Sequence, residues 1–381
     1  MPERGAWKEC KNVLCVRLDN LGDVLMTSPA IRAIRETNQD CKITLLASRA
    51  GAAIAPYISE IDEVLTFDPP WAKNKSKQSG EAVMNIVEKL KQHAFDGAVI
   101  FTVYSQNPLP AAMLCYMAGI LRVAGYCREN PYHLITDWLP DAEPLYRIQH
   151  EVDRQLQLVD SLGFFTHNQH LILRTEEAAA FQVQQKLQAK GVDTGRPWLI
   201  LHPGVSEVKR QYPPQYFAEV AQRLTQEQGY QVMLTGVHAE RELAERIRQQ
   251  AGNKAFNLCG ELSLEELINL ISQSPVLISN NTGPVHIAAA TNTPVVVLYA
   301  LTNPQHTPWK VRHKVLPFDV PAEVQSRNTI ISFANERAFK QAAGRPGPEQ
   351  VLDAVNTLLR PPETEELGEV AVGEEQTLIR L

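Results

Sequence analysis

Short apolar runs followed by amphipathic stretches recur along this chain, and that alternation limits its fold more than any other feature. In the first half, 13–18, 42–47, 63–67 and 98–101 read as strands, and 24–36, 81–92, 110–117 and 150–162 as helices. In the second half, strands are expected at 198–202, 232–235, 256–258, 276–279 and 295–299. Helices are expected there at 214–226, 239–250, 264–272 and 285–290. Apolar runs of this kind are those of parallel strands buried on both faces, with helices as the crossovers. Two such series predict an α/β chain with two doubly wound domains.

The length of 381 residues agrees, because one core rarely grows that large. The boundary is expected between Gly163 and Pro197. The chain divides into an N-terminal domain over 1–170, a linker region over 171–196, a C-terminal domain over 197–360 and an acidic, disordered tail over 361–381. The linker contains a helical stretch at 176–190. The polar, basic segment 71–80 reads as a mobile loop. A net charge of -6 argues against a general nucleic-acid binder. The longest apolar candidate for a membrane span, 285–301, is broken by Asn292 and Pro294, and 1–11 lacks the apolar core of a signal peptide. Six scattered cysteines form no CxxC pair or His/Cys cluster, so buried thiols are expected rather than zinc ligands or disulfides.

Three turns carry the chemistry. In the first, RLDNLGDVLMTSPA at 17–30, Gly22 permits a tight turn and Asp23 falls near a helix start. A carboxylate there caps the helix, and it can also serve as a base at a strand end. In the second, HPGVSEVKRQYP at 202–213, Gly204, Val205 and Ser206 offer backbone and hydroxyl donors. Lys209 and Arg210 add positive charge suited to phosphate, or to a solvated loop. In the third, NTGPVHIAAA at 281–290, a strand gives way to a helix with Pro284 near its first position. Asn281, Thr282 and Gly283 then lie where backbone N–H groups and a positive helix end favour an anion. A fourth element, TGVHAE at 235–240, brings Glu240 into a helix's first turn, where it can accept from ribose hydroxyls or complement the helix dipole. The patterns GxGxxG, GxSxG and GxxxxGK[ST] are absent, which weakens nicotinamide, hydrolase and Walker-type readings. His133, His150, His202 and His306 read as structural.

Taken in order, these motifs resemble glycosyltransferase family 9, the family of the ADP-heptose:lipopolysaccharide heptosyltransferases. The likeness runs from about Val13 to Trp309. It rests on RxxxLGDVLxTxP at 17–29, HPG…KR at 202–210, Gly236…Glu240, Leu262-Ser263-Leu264 and TGPxHIAAA from Thr282. The resemblance implies the GT-B fold, two Rossmann-like domains facing across a cleft, with the acceptor on the first and the nucleotide sugar on the second. It implies inverting transfer of a sugar without a metal or other cofactor. Asp23 matches the proposed general base. Lys209 matches the lysine on the donor's phosphates, with Gly204 to Ser206 in the same loop. Glu240 matches the ribose carboxylate, and Leu262 falls at the adenine. Thr282 and Gly283 match the turn beside the diphosphate, with His286 one helical turn on. Asn281 stands where many members carry Asp, and 301–309 differs from the best-known heptosyltransferases. Lys73, Lys75, Lys77, Arg122 and Arg128 are the acceptor-side candidates. The implied partners are an ADP-linked sugar donor and a lipid-linked or core saccharide acceptor, with no nucleic acid. The expected location is the cytoplasm, with peripheral contact at the inner face of the inner membrane. Two other readings stay open: a nucleotide-sugar epimerase of the same fold, and a non-catalytic nucleotide-sugar-binding protein.

Overall fold

A computed structural model describes residues 4–72, 79–338 and 344–361. The described residues fall into two compact units: those within 4–143 and 149–174, and those within 144–148 and 175–361. Each is built on one six-stranded, all-parallel sheet.

In unit 1 the strands are β1 (Asn12–Arg17), β2 (Lys42–Ala47), β3 (Glu63–Thr66), β4 (Gly97–Ile100), β5 (Arg122–Cys127) and β6 (Asp137–Pro140). Their spatial order is β3-β2-β1-β4-β5-β6. The central strands are buried along their length, as a sheet covered on both faces requires. Leu14, Val16, Ala98 and Ile100 pack against Val87 and Leu90 of helix Gly80–His93 and Ala112 and Cys115 of helix Leu109–Met117 in one core. Helix Leu21–Thr37 follows β1 and packs against helix Glu151–Ser161.

In unit 2 the strands are β7 (Trp198–His202), β8 (Gln231–Leu234), β9 (Ala255–Asn257), β10 (Leu277–Asn280), β11 (Val295–Ala300) and β12 (His313–Phe318). The order β12-β11-β10-β7-β8-β9 repeats the unit 1 pattern, read from the opposite edge. The core joins Leu199, Leu201, Val232 and Ile278 to Phe217, Val220 and Leu224 of helix Pro214–Gln226 and to Val351 and Val355 of helix Pro348–Leu359. Helix Glu177–Ala189, in the stretch read as a linker, belongs to this unit. It packs against helix Leu264–Gln273, where Lys186 pairs with Glu266 at 2.7 Å.

In each sheet the chain reverses its direction of travel beside the first strand, between β1 and β4 and between β7 and β10. Ligands of open parallel sheets bind beyond the carboxyl ends of the strands at such points. β5, β6, β12 and helix Pro348–Leu359 are additions to the elements expected from sequence. All six cysteines are buried and form no disulfide. Among the described residues, no helix is long and apolar enough to cross a membrane.

Candidate active site

Arg17 ends β1 with its side chain fully buried. Three carboxylates surround its guanidinium. Nε lies 3.1 Å from Asp19 Oδ2, Nη2 lies 3.4 Å from Asp23 Oδ1, and Nη1 lies 2.9 Å from Glu151 Oε1. Burial works against the arginine's charge, but Glu151, Asp19 and Asp23 outweigh it and hold its pKa above the ordinary value. Asp23 stands at the third position of helix Leu21–Thr37, and its Oδ2 accepts from the Asn20 backbone N–H at 3.1 Å. The capping role is therefore real, and the other oxygen faces Arg17. A second loop completes the turn: the Gln106 side-chain amide, beyond β4, donates to Asp19.

Glu151 opens the helix that packs on the Asp23 helix and is itself fully buried. Burial raises its pKa to about 7, against the lowering effects of Arg17 and Arg154 and the Gln155 amide. Burial also raises the Asp19 pKa, while Arg17 pulls it down. Behind this group Arg154 binds Asp141 at 2.9 Å and Glu143 at 2.7 Å, donates to the Thr102 carbonyl at 2.8 Å, and lies 4.1 Å from the Tyr126 ring centre.

The acceptor-side candidates fare differently. Arg128 is engaged within this network: it donates to the Glu143 carbonyl at 2.7 Å and to the Tyr104 carbonyl, and lies 3.4 Å from Asp141. Arg122 opens β5 and so stands at the amino edge of the sheet, whereas Asp23 lies beyond the carboxyl edge. The structure does not bring Arg122 to Asp23. Lys73, Lys75 and Lys77 lie outside the described residues.

In unit 2 the carboxyl ends of β7, β8, β9 and β10 supply four loops. The Glu240 carboxylate sits between two glycines: a Cβ on Gly204 would stand 2.2 Å from its Oε2, and one on Gly236 would stand 2.6 Å away. Only glycine fits at either position while Glu240 keeps this pose. The Val237 N–H donates to Glu240 Oε2 at 2.9 Å and orients it. The Gly260 N–H donates to the Gly236 carbonyl at 2.9 Å, which ties the β9 loop carrying Leu262 to the β8 loop. Gly260 has φ +75° and a Cβ there would meet the His238 backbone at 2.8 Å, so this close approach also needs glycine.

Lys209 and Arg210 occupy a single turn, Val208–Arg210, after β7. Both face Glu207, at 3.0 and 3.7 Å. Gly204 is buried, Val205 is half-buried and Ser206 is exposed on the same loop. Asn280, the buried last residue of β10, pins this loop at two points. Its amide donates to the Pro203 carbonyl at 2.8 Å, and its oxygen accepts from the Tyr212 N–H at 3.0 Å. Asn281 is buried, with its backbone N–H donating to the Leu298 carbonyl at 3.2 Å. Thr282 is the cap residue of helix Gly283–Ala290, but its hydroxyl turns back to the Asn280 carbonyl at 3.3 Å and does not cap the helix. Pro284 and the absence of acid from the first turn leave the positive end unanswered by this helix's own side chains. His286 is buried within that helix, its ring edge-on to His306 at 6.3 Å between centres.

The structure therefore gathers Gly204, Glu240 and Gly236 into one cradle, with Lys209 and Arg210 on the cradle's own loop. Asn280 secures that loop and went unremarked in the sequence, where the strand was expected to stop at Ser279. Glu151 also went unremarked, and Arg17, the first residue of the RxxxLGDVLxTxP motif, was given no role of its own. The signal for Arg17 is a charged residue ending an otherwise apolar run. His202, read as structural, is buried with Nδ1 3.0 Å from the Thr235 hydroxyl, and burial lowers its pKa to about 4.

Two parallel sheets of this order, each with chemistry-bearing loops at its switch point, define a doubly wound α/β architecture. The family model for glycosyltransferase family 9 (heptosyltransferase) matches residues 83–334. Lipopolysaccharide heptosyltransferase 2 of Escherichia coli is 25% identical over 353 residues, covering 89% of this chain and 96% of that protein. Lipopolysaccharide heptosyltransferase 1 of Pseudomonas aeruginosa is 26% identical over 367 residues, covering 92% and 99%. Among solved structures, a family 9 glycosyl transferase from Veillonella parvula superposes with a TM-score of 0.73 at 20% identity, covering 92% of this chain and 97% of that one. The E. coli ADP-heptose lps heptosyltransferase II gives 0.67 at 21% identity, covering 91% and 98%. The chain belongs to glycosyltransferase family 9, and its fold is of the GT-B type.

Proposed function

We propose that this glycosyltransferase moves heptose from ADP-heptose to a lipopolysaccharide-core acceptor, with inversion at the anomeric carbon and without a metal ion. Unit 1 takes the acceptor and unit 2 the donor. The observation that carries the reading is the unit 2 cradle, in which an oriented carboxylate, two obligatory glycines and a lysine-bearing loop share one sheet edge. Its chemistry suits a nucleoside diphosphate: Glu240 accepts from ribose hydroxyls, while Lys209, Arg210 and the N–H groups near Thr282 and Gly283 hold the phosphates. Leu262 supplies apolar contact to the base. The relatives' names supply the sugar and the nucleotide. We read the place of action as the cytoplasmic face of the inner membrane, with peripheral contact.

In this mechanism Asp23 takes the proton of an acceptor hydroxyl as that oxygen attacks the anomeric carbon. The new C–O bond forms as the bond to the diphosphate oxygen breaks, and the electron pair leaves with the nucleoside diphosphate. Lys209, Arg210 and the helix end at Gly283 stabilise that growing charge. Asn281, a neutral donor and acceptor, contributes hydrogen bonds rather than charge to the sugar side of the turn.

The test is release of ADP from ADP-heptose by the purified chain, in EDTA, with and without a heptose-deficient core acceptor. The reading predicts release that requires acceptor and a product whose anomeric configuration is inverted by NMR. Donor turnover without acceptor would contradict it and favour an epimerase, whereas a transfer product with retained anomeric configuration would overturn inversion alone.

A further inference from the structure

One guanidinium shared by three carboxylates cannot neutralise them all. Arg17 meets Asp19 through Nε, Asp23 through Nη2 and Glu151 through Nη1. Of the three, Asp19 and Asp23 keep some access to water, with side chains 19% and 14% exposed, while Glu151 is 0% exposed. Glu151 Oε2 has no hydrogen-bond partner, and its other oxygen accepts from Gln155. An ionised carboxylate held this way is costly, and its natural relief is a proton.

We propose that Glu151 is a positioning residue that competes with Asp23 for Arg17, so that its ionisation sets how strong a base Asp23 is. This inference rests on the reading of Asp23 as the base. With Glu151 neutral, the arginine's charge falls on Asp19 and Asp23 and weakens Asp23 as a base. With Glu151 ionised, Nη1 is held by a full charge and a further negative charge stands near Asp23, which then takes a proton more readily. The charged neighbours are Arg17 from β1, Asp19 on the loop after it, Asp23 from helix Leu21–Thr37 and Arg154 from Glu151's own helix. Asp141 and Glu143 face Arg154 from the other side, and His150 caps the helix through Nδ1, accepting from the Val152 N–H. The midpoint of this switch falls where Glu151 titrates, at about 7.

The test has two arms. In the first, kcat is followed against pH for the unsubstituted chain and for Glu151→Gln, with donor KM as a control. The unsubstituted enzyme should gain about three- to tenfold in kcat as pH rises through neutrality. Glu151→Gln should lose that step and stay on the lower plateau with donor KM unchanged, and Glu151→Asp should restore part of it. A step of full size in a folded Glu151→Gln protein would overturn the proposal. The second arm needs neither activity nor a substitution at 151. With 13C-labelled glutamate, the infrared band of a protonated carboxyl should titrate near neutrality and move to lower pH in Asp23→Asn. A midpoint unmoved by Asp23→Asn, or no such band, would also overturn it. If Asp23→Asn retains full transfer, the base reading fails on its own, and the infrared arm still decides whether the two carboxyls are coupled.

Discussion

The two sheets have the same strand order, yet their first strands end in opposite ways. β1 ends in Arg17, a buried cation among three carboxylates, and the helix after it answers its own positive end with Asp23. β7 ends in His202, which burial keeps neutral, and β10 ends in Asn280, whose amide is spent on two backbone groups. The helix after β10 carries no acid in its first turn and no side-chain cap. One topology thus yields an edge built around a buried, carboxylate-ringed arginine and suited to moving a proton, and a glycine-lined edge with Lys209 and Arg210 on its loop, suited to receiving an anion. The position comes from the fold and the chemistry from a few residues at strand ends.

The sharpest way to break this contrast is to remove the proton chemistry alone. Asp23→Asn should lower kcat by about 10²- to 10⁴-fold, as expected for loss of a general base, while donor KM stays near its original value. Comparable turnover in this variant would end the contrast. Next in size is Gly204→Ala, which drives a methyl group into the Glu240 carboxylate. ADP affinity should fall by about tenfold or more, the cost of losing one charge-assisted hydrogen bond, with the unit 1 infrared signal of Glu151 unchanged. Asn280→Ala should cost about 2 kcal/mol, because the Tyr212 N–H and the Pro203 carbonyl lose a buried partner, and thermal melting should show it as a fall of several degrees.

In the pH dependence of stability the two edges should pull in opposite directions. The folded-state pKa of Glu151 is raised, from 4.5 to about 7. Its contribution is full below pH 4.5 and is lost as pH rises through 7. The folded-state pKa of His202 is lowered, from 6.5 to about 4. Its contribution is full above pH 6.5 and is lost as pH falls through 4. Melting temperature measured from pH 4 to pH 8 should therefore show Glu151→Gln flattening the alkaline fall and His202→Gln flattening the acid fall, each by about 1–3 kcal/mol.

Much of this was legible in the sequence, and the exceptions have physical causes. Helix Pro214–Gln226 matched its expected bounds, because Pro213 and Pro214 mark its start and its apolar period is clean. β6 and β12 escaped notice as half-exposed edge strands, DWLP and HKVLPF, each carrying a proline at or near its end and without a buried run to reveal it. β5 is buried, but its RVAGYC carries a glycine and too few large apolar residues. At the site, Asp23, Lys209, Glu240 and the turn at Thr282 could be named because each sits at a fixed offset from a turn-forming glycine or proline. Glu151 could not. In sequence it is an acid in a helix's first turn, which ordinarily means a solvated cap, and only the packing of that helix on one more than a hundred residues earlier buries it against Arg17. Asn280 was hidden for a similar reason, since an asparagine after an apolar run reads as the turn rather than as the strand's buried end.

The central claim is a division of labour between the two strand-end regions, and calorimetric titration of ADP tests it most directly. The unsubstituted chain, Asp23→Asn and Lys209→Ala are compared side by side. The account predicts equal affinity in the first two and a loss of about 10- to 100-fold in Lys209→Ala, the scale of a charge-assisted bond to phosphate. ADP affinity that falls with Asp23→Asn and survives Lys209→Ala would contradict it.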